Sequence, residues 1–117
     1  MSDMKTHKGS CHCGAVTYEV DTDLEGLVEC NCSHCYRKGL VFNFVSPDAF
    51  RVTAEGVQTG YLFHTHKIHH LFCATCGVES FARGLGPNGP TVAVNIRTLT
   101  DIEPFSWTAT RVDGRSF

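Results

Sequence analysis

Seven cysteines are the residues of this sequence whose types and spacing could do chemistry. They fall into three groups of two, three and two thiols: Cys11 and Cys13; Cys30, Cys32 and Cys35; Cys73 and Cys76. Cys-Xaa-Cys and Cys-Xaa-Xaa-Cys are spacings at which one tight turn brings two sulfurs into the same coordination sphere. Clustered thiols in odd number indicate metal ligands or redox groups rather than a disulfide framework.

Glycine positions suggest how the thiols divide between sites. Gly14 follows the first pair and Gly77 follows the last pair, as in zinc knuckles, where the turn needs positive φ. We therefore expect Cys11, Cys13, Cys73 and Cys76 to form one closed structural zinc site. We favour zinc over an iron–sulfur cluster, although thiolates suit both.

The middle group would leave one position of a tetrahedral zinc ion free. Cys30, Cys32 and Cys35 are followed by Tyr36, Arg37 and Lys38, all of which can donate hydrogen bonds to a substrate. Three thiolates make zinc a weak Lewis acid for water but suit exchange of a substrate thiol, whose pKa the metal would lower. The pattern predicts a catalytic zinc that activates a small thiol for addition to a carbonyl group.

Two other interpretations of the thiols remain open. His34 or His12 could complete the second site and leave two inert zinc ions. The thiols could also be redox-active without a metal.

Four histidines lie close together in the sequence: His64, His66, His69 and His70. We interpret them mainly as a polar strand face and turn, with one lining the active cleft. If a general base exists, His66, His70 and His34 are the candidates. Arg83 and Asn95 are polar residues that could also reach a cleft.

Composition excludes several classes of partner. The chain has 117 residues and a formal charge of −2, with 10 Lys and Arg against 12 Asp and Glu, so nucleic acid is not an expected partner. No run is apolar enough for a membrane span or signal peptide, and we expect a cytoplasmic protein. Its oligomeric state is not indicated.

The hydrophobic pattern predicts an all-β, antiparallel single domain, because strand-like alternation recurs and no long segment has helical periodicity. The predicted strands cover residues 15–20, 41–45, 51–53, 59–63, 68–72, 91–96 and 105–111. Residues 46–50 resemble a helical turn that begins with Ser46 and Pro47. Residues 84–90 look like a loop. We expect residues 1–8 to be disordered and residues 9–117 to form the domain.

Three segments resemble the signatures of the glutathione-dependent formaldehyde-activating enzyme family, also called the centromere protein V/Gfa domain. They are Gly9–Val16, Cys30–Cys35 and Phe72–Gly77, which match in order and spacing. The resemblance implies a β-tent fold similar to that of methionine sulfoxide reductase B. It also implies two zinc ions per chain, a structural one at Cys11, Cys13, Cys73 and Cys76 and a catalytic one at Cys30, Cys32 and Cys35.

The same resemblance implies a carbon–sulfur lyase of the S-(hydroxymethyl)glutathione synthase type. Glutathione would be the co-substrate and formaldehyde or another small aldehyde the acceptor. From the residues themselves, the candidate catalytic groups are the zinc-bound Cys30, Cys32 and Cys35 together with Arg37, Lys38, His66 and His70. Residues 59–73 and 113–117 look more like the centromere protein V branch. The alternative function is therefore a zinc-stabilised binding module without catalysis.

Overall fold

The computed structural model describes residues 4–63, 68–86 and 89–116. Its described part contains ten strands and one α-helix. The strands are β1 Lys5–Ser10, β2 Thr17–Thr22, β3 Val28–Cys30, β4 Val41–Val45, β5 Phe50–Ala54, β6 Gln58–Tyr61, β7 Ile68–Cys73, β8 Phe81–Gly86, β9 Gly89–Asn95 and β10 Thr110–Val112. The helix, α1, is Ser33–Lys38. The predicted all-β class is confirmed.

The strands form two sheets. The small sheet has the order β1-β2-β5, and the large sheet has the order β10-β3-β4-β9-β8-β7-β6. Strand pairs are antiparallel except for β10 and β3, which run parallel. The prediction of a wholly antiparallel domain is therefore wrong at this edge, because the parallel pair joins segments far apart in sequence.

The hydrophobic core lies where the small sheet packs on the large one. In β2 every second residue is buried, beginning with Tyr18 and Val20, which is the alternation expected of a half-buried strand. The Tyr18 ring packs against Phe50 of β5 and Phe81 of β8, with ring centroids 5.2 and 6.3 Å away. This packing holds β1 and β2, and with them the first cysteine pair, in a fixed position.

Helix α1 is short, and it positions much of the candidate site. Cys32 is its N-cap, and the Cys32 side chain accepts a hydrogen bond from the backbone N–H of Cys35. The helix ends at Gly39, whose φ of 66° is a left-handed conformation that glycine adopts without strain. Six residues are too few for a helical period to show in the sequence. The helix was accordingly not predicted.

Three local predictions need correction. Residues 5–8 are not disordered, because β1 begins at Lys5 and pairs with β2 along its length. The loop predicted for residues 84–90 belongs in its described part to β8 and β9, which pair as far as Gly86 and Gly89. Of residues 105–111, predicted as the last strand, only Thr110 and Arg111 lie in a strand, β10; Phe105, with a φ of 63°, lies in a turn.

Other local predictions are confirmed. Residues 41–45 form β4, and a 3₁₀ turn at Pro47–Ala49 follows Ser46. No helix in the described residues is long and apolar enough to cross a membrane.

Candidate metal centres and the adjoining cleft

Four thiols from two distant parts of the chain meet at one point, as predicted. Cys11 and Cys13 lie in the turn between β1 and β2, whereas Cys73 ends β7 and Cys76 lies in the turn after it. The four Sγ atoms lie within 4.8 Å of one another. The Cys13 sulfur is 3.7 Å from that of Cys11 and 3.6 Å from that of Cys73.

The backbone around this group favours thiolates. Gly14 and Gly77 have φ values of 84° and 79°, so both turns have the positive φ predicted for knuckles. The backbone N–H groups of Cys76 and Thr75 lower the pKa of Cys73. The backbone N–H of Val78 is the largest cause that lowers the pKa of Cys76 to about 6. Four converging thiols, two of which have lowered pKa values, are the donor set of a structural zinc site.

The second group of thiols lies at the junction of β3 and α1. The sulfurs of Cys30, Cys32 and Cys35 also lie within 4.8 Å of one another. Backbone N–H groups of Cys32 and Cys35 donate to the sulfurs of Cys30 and Cys32 at 3.4 and 3.2 Å. Burial acts to raise the pKa of Cys32, but hydrogen bonds from Cys35 and His34 outweigh it and lower the value.

Cys35 differs from its two neighbours. It is buried, and this burial raises the pKa of its thiol. A cation bound by the group would offset that cost, since a metal ion favours the deprotonated form of a coordinating thiol. The three residues therefore fit a metal ion, zinc in particular.

The C-terminal turn packs against this second group. Asn31 donates to Asp113 Oδ1 at 3.1 Å and accepts from the backbone N–H of Arg115 at 3.0 Å. Gly114, between these two contacts, lies against the Cys30 sulfur so closely that a β-carbon would overlap it. The segment after β10 therefore forms one wall of the three-thiol group.

A cleft of about 640 Å³ lies along helix α1, which contains Cys35 and begins at the N-cap Cys32. Helix α1 contributes Ser33, His34, Arg37 and Lys38 to its lining; the remaining lining residues are Tyr61, Phe63, Phe72 and Gly77. Gly77 directly follows Cys76 of the four-thiol group, and His34 lies between Cys32 and Cys35 in the sequence, but none of the seven cysteines is among the lining residues. The volume of the cleft is in the range of pockets that bind small molecules.

The structure places both predicted basic residues at the cleft. Arg37 donates to the Ser33 carbonyl at 3.0 Å, which leaves part of its guanidinium free for a ligand. The Lys38 ammonium lies 4.3 Å from the centroid of the Phe72 ring and 3.2 Å from Glu79 Oε1. The lining thus combines cationic donors with aromatic faces.

His70 was expected to belong to a polar strand face, but it lies in the protein interior. It is 2% exposed, and its Nδ1 lies 2.9 Å from Glu79 Oε2. His69 points to the other side of β7 and is exposed. His70 does not line the cleft directly, whereas His34 does, and the two rings are 4.0 Å apart between centroids. His64 and His66 lie outside the described residues.

Glu79 is a residue that sequence reasoning missed. Its side chain is fully buried and lies within 4.0 Å of Lys38, His34 and His70. The available signal was one acidic residue in a segment that leads from Cys76 into a buried strand. A buried carboxylate of this kind needs charged or hydrogen-bonding partners.

The remaining polar candidates do not reach the cleft. Asn95 is buried and accepts hydrogen bonds from the backbone N–H groups of Val41 and Arg97, so it has a structural role. Arg83 lies over the rings of Phe50 and Phe81.

Comparisons with known proteins agree with this geometry. A relative from Pyrenophora teres f. teres (strain 0-1), provisionally named a glutathione-dependent formaldehyde-activating enzyme, is 35% identical over 89 residues. The match covers 69% of this chain and 46% of the relative, so the chain spans about half of that protein's length. The crystal structure of a Rhodobacter sphaeroides protein matches with a TM-score of 0.75 at 30% identity and covers 88% of this chain and 99% of that one.

A family model is matched over most of the chain. It is described as glutathione-dependent formaldehyde-activating enzyme, and it matches residues 6–111. The matched range contains all seven cysteines and every described residue that lines the cleft. The chain therefore belongs to the glutathione-dependent formaldehyde-activating enzyme family.

Proposed function

We propose that the protein is a carbon–sulfur lyase of the S-(hydroxymethyl)glutathione synthase type, with two zinc ions per chain. The four-thiol group would hold a structural zinc ion, and Cys30, Cys32 and Cys35 would hold a catalytic one. The observation that carries the proposal is that one helix, α1, supplies both Cys35 of the three-thiol group and the basic residues Arg37 and Lys38 that line a cleft of about 640 Å³. Family membership supports the same activity.

Zinc bound by the three thiols would supply one chemical effect, which is to lower the pKa of a substrate thiol so that it is present as thiolate. Arg37 and Lys38 would bind the carboxylates of a glutathione-like thiol, because guanidinium and ammonium groups form charge-assisted hydrogen bonds with carboxylates. The faces of Tyr61, Phe63 and Phe72 would pack against the substrate and exclude water.

The reaction balances without a redox partner. The thiolate sulfur attacks the carbonyl carbon of the aldehyde, a carbon–sulfur bond forms, and the π pair of the carbonyl moves to its oxygen. That oxygen then takes one proton, so the thiol hydrogen ends on the new hydroxyl group. The reverse sequence breaks the carbon–sulfur bond and is the lyase direction.

The proton must pass through a group near the cleft. His34 lines the cleft, and we propose it as the nearest histidine to the substrate, with His70 behind it and held by Glu79. Burial is the largest cause that lowers the pKa of His34, so its ring would be neutral. Both ring nitrogens are buried, so His34 would accept a proton only when its ring turns towards the substrate and no metal ion is bound to it. His66 remains a candidate from the sequence, outside the described residues.

The test is the rate at which free glutathione and formaldehyde exchange with their hemithioacetal, followed by exchange NMR with and without the protein. We expect the protein to accelerate exchange above the spontaneous rate and Cys32→Ser to abolish that acceleration. Arg37→Gln and Lys38→Gln should weaken glutathione binding, whereas Lys5→Gln, on β1 far along the chain, should not. A protein with both zinc ions that leaves the exchange rate unchanged would contradict the proposal.

One observation favours a second candidate function, a binding module without catalysis. Gly114 and the turn around it pack on Cys30, which covers part of the three-thiol group. If this wall closes the site, zinc there would be structural. Glutathione bound without any acceleration of exchange would support this second function.

A further inference from the structure

Three side chains with metal-binding atoms meet beneath the cleft and contain no cysteine. They are His34 of α1, His70 of β7 and Glu79, which lies ahead of β8. One ligand atom from each lies within 4.8 Å of the other two. The His34 Nε2 atom is 3.6 Å from Glu79 Oε1, and the His70 Nδ1 atom is 2.9 Å from Glu79 Oε2.

His34 lacks the partners that a buried imidazole normally has. Its side chain is 10% exposed, and neither ring nitrogen has a hydrogen-bond partner in the described part of the chain. The rings of Tyr61 and Phe63 lie 5.6 and 5.1 Å from it, so aromatic carbon rather than solvent surrounds it. A buried polar group left without a partner costs free energy and commonly marks a ligand, an ion or a catalytic role.

We propose that His34, His70 and Glu79 form a third metal site, which binds a first-row divalent cation through two imidazole nitrogens and one carboxylate oxygen. This donor set is the one found in zinc and ferrous sites that keep further positions for a substrate or water. Ligand atoms around a tetrahedral zinc ion are about 3.3 Å apart, given bonds of about 2.0 Å. Each histidine contacts a different oxygen of Glu79, Oε1 at 3.6 Å from His34 and Oε2 at 2.9 Å from His70, so either oxygen lies near this spacing from one imidazole nitrogen.

The Lys38 ammonium and a metal ion would compete for the Glu79 carboxylate at this site. The ammonium is 3.2 Å from Glu79 Oε1, and it provides the positive charge that the buried carboxylate needs. The Lys38 side chain is 31% exposed and lies at the C-terminal end of a helix of six residues, so it can turn out into the cleft. A metal ion would replace its charge, and the His34 nitrogen would gain a partner at the same time.

The experiment measures metal binding to the full chain and does not depend on glutathione or activity. Protein with both thiol groups loaded is titrated with Zn²⁺ and, separately, with Co²⁺ as a spectroscopic probe. We expect a third equivalent to bind. Its Co²⁺ form should add weak visible bands without the intense thiolate charge-transfer absorption that marks the two thiol groups.

Four substitutions test whether these residues bind the third equivalent of metal. Glu79→Gln and His70→Gln should each weaken binding of the third metal ion at least tenfold and leave the metal ions of the two thiol groups in place. Lys38→Met should tighten it by about tenfold or more, because the buried carboxylate then lacks its internal cation. Arg37→Met removes the neighbouring positive charge, which does not contact Glu79, and should leave the affinity within about twofold.

Two results would overturn the site. One is saturation at two equivalents in both the wild-type protein and Lys38→Met. The other is a third equivalent that Glu79→Gln and His70→Gln both retain unchanged, which would be an adventitious ion only. The charge-transfer absorption of the thiol groups reports whether each variant is folded. If Glu79→Gln does not fold, His70→Gln alone tests the third site.

Discussion

Gly114 and Cys30 lie in direct contact, although they are 84 residues apart in the sequence, so the C-terminal turn packs against the three-thiol group. Asn31 fixes this turn by bonding to Asp113 and to the backbone N–H of Arg115. Any atom added at Gly114 must displace either the turn or the thiol.

Gly114→Ala should therefore weaken metal binding by the three-thiol group. We expect about a tenfold or greater loss of affinity for the second zinc ion, because the new methyl group would overlap the Cys30 sulfur. A chelator competition assay on the purified variant measures this loss. Gly60→Ala is the control, since a β-carbon there meets only Leu71 Cδ2, at 3.7 Å. Equal zinc affinity in Gly114→Ala and wild type would contradict this prediction, because it would show that the turn can move without weakening zinc binding.

Removal of one thiol should have different consequences in the two groups. Cys73 is buried and ties the first cysteine pair to β7, so Cys73→Ser should lose one zinc ion and about 3 kcal/mol or more of unfolding free energy. Cys32→Ser should also lose one zinc ion, with a smaller loss of stability, because Cys32 is only half-buried in a short helix cap. Zinc content and urea unfolding of both variants measure the difference. A Cys73→Ser protein as stable as Cys32→Ser would contradict the structural role of the four-thiol group.

Asn95 should matter for stability rather than for the cleft. Its amide donates to the Glu79 carbonyl at 2.9 Å and its oxygen accepts from the backbone N–H groups of Val41 and Arg97, so one side chain satisfies three backbone groups, those of Glu79 and Val41 being buried. Asn95→Leu should lower the free energy of unfolding by about 2–4 kcal/mol, since those groups would be left without partners. Urea unfolding measures the change. Unchanged stability together with lost glutathione binding would instead indicate that Asn95 acts in ligand binding at the cleft.

The small sheet carries an acid-sensitive ion pair. Hydrogen bonds from Arg51, and then from Thr6, lower the pKa of Asp21 to about 2. Because the folded value lies below the value of about 3.9 in the unfolded chain, the pair stabilises the protein above that pH and its contribution falls as pH drops towards 2. The difference in Tm between wild type and Asp21→Asn should therefore shrink between pH 5 and pH 2.5. A difference that stays constant over that range would exclude the pair as its cause. Loss of metal in acid affects both proteins, so it largely cancels from the comparison.

Local spacing predicted the parts of this protein that depend on neighbouring residues. The positive φ at Gly14 and Gly77 and the basic pair at Arg37 and Lys38 follow from positions a few residues apart. The glycine that follows both the first and the last cysteine pair also predicted that these two pairs, distant in sequence, share one site. A turn or a helix cap determines such geometry by itself, because steric limits on φ and ψ act within one or two residues. The alternation of buried residues identified the all-β class for the same reason.

Contacts between distant segments could be decided only by the tertiary structure. His70 appeared in the sequence as one of several polar histidines, and Glu79 had no visible role, yet β7 and the segment before β8 bring them to 2.9 Å in the interior. The parallel pairing of β10 with β3 likewise places Gly114 on Cys30. The sequence by itself determined which thiols can bind metal, whereas burial and strand pairing decided what surrounds them. Those depend on how the two sheets pack, which no short stretch of residues encodes.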